Sequence, residues 1–204
     1  VAYFSMSFGD LMTTVMRRPE AQNELEELVN AHCSEDDFHW KWYLQDLDAL
    51  GYDNERMSDA CKLLWSVESA PVRHLIYSVV AYAGKSDDPL FHLILIEILE
   101  AGLSGFFEYC YKGAALSGLE FLNYFGKTHY MAEYAHSVTS WFQVDSVTGS
   151  DSEHGLAKFT ASDEVRRLSQ EAIETIFARF DDMYNFWYSV AARSGVPAAT
   201  PAGA

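Results

Sequence analysis

Two stretches decide how this chain is read: His32-Cys33-Ser34-Glu35-Asp36-Asp37-Phe38-His39 and, about ninety residues later, His129-Tyr130-Met131-Ala132-Glu133-Tyr134-Ala135-His136. Each carries an acid-x-x-His unit, Asp36 to His39 and Glu133 to His136. Residues three, four and seven apart share one face of an α-helix. Each stretch therefore aims a column of metal-type ligands in one direction, which is the pattern of a carboxylate-bridged dinuclear site in a helix bundle.

Working outward, both columns continue apolar seams. The first runs Leu25, Leu28/Val29, His32, Glu35/Asp36, His39, Tyr43, Leu47, Leu50; the second runs Leu122, Phe125, His129, Glu133, His136. A lone histidine on an amphipathic helix is usually a hydrogen-bonded core or boundary residue, and acid-x-x-His pairs are common as surface ion pairs. Here four of the seven histidines sit in two HxxxxxxH frames on apolar seams, which favours a metal site. His74, His92 and His154 have no such setting and read as structural. A dinuclear site needs a bridging carboxylate from a third helix. Glu97, within Leu93-Ile94-Leu95-Ile96-Glu97-Ile98-Leu99-Glu100, fits, because an ionised carboxylate without a partner is costly to bury. Ala101, Ser104 and Glu108 share its stripe, and the small residues there suit either a substrate pocket or close helix packing.

Period-3.6 patterning covers almost the whole chain. The expected helices are Val1–Met16, Glu20–Leu50 ended by Gly51, Glu55–Glu68, Val72–Ala83, Pro89–Lys112, Ala115–Phe142 and Ser162–Arg193. Prolines stand at first-turn positions and Ser162 at an N-cap. Gln143–Thr160 is rich in Ser, Gly and Asp and reads as a loop. The organisation is a single all-α domain over 1–194, with an Ala/Pro/Gly tail over 195–204 expected to be disordered.

With 49% apolar residues in 204 the chain can bury a sizeable core. A net charge of −16 argues against nucleic acid and anionic membrane surfaces as partners. Glu97 and Glu100 interrupt the most apolar run, so no membrane span is expected. Three cysteines without a CxxC pair point to a reducing, cytoplasmic compartment. The start, Val1-Ala2-Tyr3-Phe4, lacks an initiator Met and resembles the interior of a longer chain. P-loop, GxSxG and dinucleotide-binding patterns are all missing.

At these residues the chain resembles the haem-oxygenase-like diiron oxidases, also called iron-containing redox enzymes. The likeness rests on the His32–His39 stretch with the following Trp42-Tyr43-Leu44-Gln45-Asp46-Leu47-Asp48-Ala49-Leu50-Gly51, on Leu95–Ala101 with Phe106-Phe107-Glu108, and on the HxxxExxH of His129, Glu133 and His136. It extends over roughly residues 20 to 190. The resemblance implies a seven-helix haem-oxygenase-like bundle holding two Fe2+, with manganese as the alternative metal and O2 as co-substrate. It implies oxidase or oxygenase chemistry on a small amino-acid-like or fatty-acid-like metabolite: N-oxygenation, desaturation, oxidative decarboxylation or C–C cleavage. The implied ligands are His39 with Glu35 or Asp36, Glu97, and His129, Glu133 and His136; Glu133 stands where the family often has Asp. A homodimer is compatible with it. Metal-free relatives of the same fold, of the thiaminase II or cofactorless-oxidase kind, and a non-catalytic helical partner protein are the competing readings.

Overall fold

A computed structural model describes residues 1–52, 54–133 and 159–194. These form helices, with no strand among the described residues. The chain runs through α1 (Ala2–Asp10), a π-helical segment (Leu11–Met16), α2 (Glu24–Asp36), α3 (His39–Ala49), α4 (Met57–Leu64), α5 (Ala70–Ala83) and α6 (Pro89–Leu116). A helix over 127–133, here α7, and α8 (Asp163–Arg193) follow.

Helix starts follow local chemistry. The Asn23 side chain accepts from the Glu26 N–H, with Glu24, Glu26 and Glu27 in the first turn of α2. Asp88 caps α6 through the Leu90 N–H, with Pro89 in the first turn. Ser162 caps α8 through the Val165 N–H at 3.2 Å.

The core is organised on α6, whose Phe91, Leu95, Ile96 and Leu99 are fully buried. It packs on α2, α5 and α8. A helix apolar on most sides belongs inside a fold or a bilayer. Its most apolar stretch has a mean hydropathy of 1.7, so by length and composition α6 could cross a membrane. Just over half of that stretch is buried in this fold, in a cluster shared with Val79 of α5 and with Ala172, Ile176 and Phe180 of α8.

Two expected helices differ from the structure, and both differences shape the site. The Glu20–Leu50 helix is two helices joined across Asp37 and Phe38. Asp36 and Asp37 are weak helix formers, and past Asp37 the ladder tightens, Lys41 N–H bonding the Phe38 carbonyl three residues back. Arg17 holds the break by pairing with Asp37 at 2.9 Å. Gly9 of α1 lets the helices meet there, since a Cβ would lie 2.9 Å from the Asp37 carbonyl oxygen and from the Trp40 ring.

The expected Ala115–Phe142 helix is interrupted as well. Helix α6 continues to Leu116, beyond the expected Lys112, and stops at Gly118, whose φ of +69° suits glycine. Residues 119–126 then cross in irregular conformation before α7 begins. Smaller differences are the π-helical end of the first helix, and α4, which is shorter than Glu55–Glu68. Most of the expected 143–160 loop and the 195–204 tail lie outside the described residues.

Candidate metal centre

Helix α3 begins at His39 and faces inward through His39, Tyr43 and Asp46. Helix α7 brings His129 and Glu133, one turn apart, to the same place. His129 Nε2 lies 2.9 Å and His39 Nδ1 3.4 Å from Glu133 Oε1. The two imidazole rings stand edge to face with centroids 4.5 Å apart, and His39 stacks on Trp42 at 4.7 Å. Ligands bound at roughly 2.0–2.2 Å to one ion lie about 3 Å apart when adjacent in its coordination sphere, close to the spacing that both histidine nitrogens show to Glu133 Oε1.

A second group joins His32 of α2 to Glu97 and Glu100 of α6, and its donor atoms also converge within 4.8 Å of one another. His32 Nδ1 is 3.5 Å from Glu100 Oε1, and His32 Nε2 is 4.0 Å from Glu97 Oε1. Glu100 also lines one cavity with His39, His129 and Glu133, closed by Phe4, Phe8, Leu103, Phe107 and Tyr124. That cavity leaves about 10 Å3, room for roughly one water or small ion. The Glu97 side chain, 26% exposed, marks the more open edge.

The two candidate acids of the first stretch differ sharply in placement. Asp36 is 1% exposed, with Oδ1 3.7 Å from His39 Nδ1, whereas Glu35 is exposed. Asp36 thus lies inside with the donors, and Glu35 faces solvent nearby. His136, with Tyr134, lies outside the described residues. Of the expected ligands, Asp36, His39, Glu97, His129 and Glu133 all reach the site region.

Electrostatics divides these carboxylates. Burial opposes ionisation of Glu133, but hydrogen bonds and charge from His129 and His39 outweigh it and hold the group at about 2. Asp36 is pushed well up by burial and by the negative charges of Glu133, Glu100, Glu35 and Asp37. Burial lowers His39, helped by His129 and only partly countered by Glu133. Burial opposes charge on His32 too, but Glu100, Glu97 and Glu35 outweigh it and raise that residue.

His129 shows most plainly what the pocket asks for. Its Nδ1 faces the Tyr124 carbonyl at 3.1 Å, and a carbonyl only accepts, so Nδ1 carries the hydrogen. Its Nε2 faces a carboxylate. Either a proton or a cation must therefore stand between Nε2 and Glu133. Imidazole held by a carbonyl on one nitrogen, with the other aimed into a carboxylate-rich cavity, is the arrangement of a metal-binding histidine. The donor set of imidazoles and several carboxylates suits hard divalent iron or manganese, and cations would compensate the buried negative charge.

Several roles differ from expectation. Glu100, Leu103 and Phe107 line the cavity, while Ala101 and Ser104 face solvent and Glu108 pairs with Lys112. Gly102 serves helix packing: a Cβ there would fall within 3.0 Å of the Phe180 ring. Tyr130, next to His129 in sequence, stacks on Tyr111 at 5.1 Å. The supporting tyrosine is Tyr124, buried and hydrogen-bonded to Ser5 at 2.8 Å. His32 and Glu100 join the donor groups beyond the expected ligands, and the HxxxxxxH frame and the i,i+3 spacing of Glu100 from Glu97 are the sequence signal for them. His92 is structural, donating from Nε2 to the Ala83 and Ser86 carbonyls at 3.2 and 3.0 Å. His74 is exposed, and His154 lies outside the described residues.

No family model matches the chain, and a search of curated proteins finds no match either.

Proposed function

We propose that this chain is an O2-dependent non-haem diiron oxidase or oxygenase acting on a small amino-acid-like or fatty-acid-like metabolite, built on a haem-oxygenase-like bundle. One observation carries the reading: two His/carboxylate groups, His39-His129-Glu133 and His32-Glu97-Glu100, each converge, and Glu100 of the second lines the same cavity as the whole of the first. His39, His129 and Glu133 would hold one ion, and His32, Glu97 and Glu100 the other, with Asp36 beside His39. Two ferrous ions would supply electrons for dioxygen reduction and open positions for O2.

The chain's own residues do the rest. Glu133, ionised by its two histidine neighbours, offers a carboxylate already stripped of water. Tyr124 holds the His129 proton on Nδ1 and so presents the Nε2 lone pair. Phe4, Phe8, Leu103 and Phe107 give the cavity an apolar wall, and an apolar wall limits loss of reactive species to water. At about 10 Å3 the cavity takes only ion-sized or water-sized occupants. A substrate must therefore widen it or approach from the Glu97 edge.

The test is anaerobic loading with Fe(II), then O2 consumption measured against a panel of amino acids and fatty acids. The reading expects O2 uptake that rises with one class of substrate and a transient visible band. Activity that survives exhaustive chelation would favour a metal-free enzyme of similar fold, and no iron uptake with no O2 consumption would end the proposal.

A further inference from the structure

Asp46 lies outside the donor groups, yet it is 1% exposed. It sits on the inward stripe of α3, two turns after His39. Its Oδ1 accepts the Asn123 N–H at 2.7 Å and its Oδ2 accepts the Phe125 N–H at 2.9 Å. Those two amides flank Tyr124 in the irregular crossing between α6 and α7. The Tyr124 carbonyl in turn receives the His129 Nδ1 hydrogen, and the Asn123 carbonyl receives the His129 backbone N–H at 3.1 Å.

We propose that Asp46 is a positioning residue for the metal centre: its carboxylate clamps the peptides on either side of Tyr124 and thereby aims the His129 imidazole. Helix α3 then sets both histidines, His39 directly and His129 through Asp46. This explains why a carboxylate is spent two turns from the cavity. Irregular backbone leaves amides that a helix would have satisfied internally, and a buried carboxylate accepting one N–H on each oxygen is a directional way to pair them. An amide in its place offers only one acceptor oxygen, and its NH2 would face one of the two N–H donors.

The proposal rests on the reading of His129 as a ligand, and its test separates the two. The Asp46→Asn variant is compared with the unaltered chain, both metal-free, by NMR of the His129 Nδ1 proton and of backbone amides. Amides of α8, such as Ile176, serve as the reference for global stability. Exchange of the His129 Nδ1 proton and of the Asn123 and Phe125 amides should accelerate by about tenfold or more while α8 is unchanged. Co(II) affinity should fall by roughly 10- to 100-fold, the usual cost of losing a partner that orients a ligand. An unchanged Nδ1 proton in a variant whose Asn123 and Phe125 amides have lost protection would overturn the proposal.

If the variant does not fold, the unaltered chain still decides. The clamp requires the Asn123 and Phe125 amides to exchange as slowly as the interior amides of α3, and fast exchange there would overturn it. If neither protein takes up Co(II), the metal reading fails, while proton exchange in the metal-free protein still tells whether Asp46 aims His129.

Discussion

Replacing Glu133 with Gln in the metal-free protein isolates the charge on which the first donor group turns. Glu133 is held at about 2 against an ordinary 4.5, and each tenfold change in an ionisation equilibrium corresponds to about 1.4 kcal/mol. The ionised form is thus favoured by about 3 kcal/mol in the folded state. Glutamine keeps one acceptor for His129, so the measured loss should be about 1.5–3 kcal/mol, the range of hydrogen bonds to charged groups. The sign with pH follows from the depression. The contribution is complete above the unfolded value near 4.5 and fades as pH falls toward the folded value. Urea unfolding of both proteins, with chelator present, should therefore show a gap at pH 7 that narrows below about pH 4.5. Equal stabilities at pH 7, or a gap that widens on acidification, would refute the reasoning.

Asp36→Asn should act in the opposite sense. Because the folded-state Asp36 is pushed up, the metal-free wild type is penalised as pH rises through the ordinary carboxylate range. The variant should be more stable at pH 7 by about 1–3 kcal/mol in urea, yet bind fewer ions by metal analysis. A less stable variant would contradict this. Gly102→Ala should cost about 1–3 kcal/mol by overpacking against Phe180, and an unchanged urea midpoint would mean that the helices part freely. Fe(II) or Mn(II) at about a hundred times its Kd should add about 2.7 kcal/mol, or roughly 5–10 °C in Tm for a domain of this size. Differential scanning calorimetry showing no shift with either ion would count against the site.

Much of the all-α architecture was legible because apolar periodicity is strong and the helix starts carry their own caps, as at Asn23, Asp88 and Ser162. The two breaks were not, since each depends on contacts distant in sequence. The turn at Asp37 and Phe38 is secured by Gly9 and Arg17, and the crossing at 119–126 by Asp46. Periodicity placed His39, His129 and Glu133 on seams. It leaned to Asp36 while keeping Glu35, because the helix ends between Asp36 and His39 and the i,i+3 geometry there belongs to a turn. The cavity-facing stripe of α6 was displaced for a related reason. Gly102 packs toward α8, which turns Glu100 toward the cavity and Ala101 toward solvent. Tyr124 and Asp46 were hidden because they act through backbone groups of an irregular segment, where no repeat marks function.

The proposed centre holds two ions, one at each donor group, with Glu100 linking the second group to the cavity of the first. Mössbauer spectroscopy of protein titrated anaerobically with 57Fe(II), then exposed to O2, measures it most directly. The account expects about two high-spin ferrous ions per chain, in keeping with the dinuclear pattern of bundle carboxylate sites, and a spin-coupled ferric pair after oxidation. Saturation at one uncoupled ion, or no bound iron at all, would contradict it.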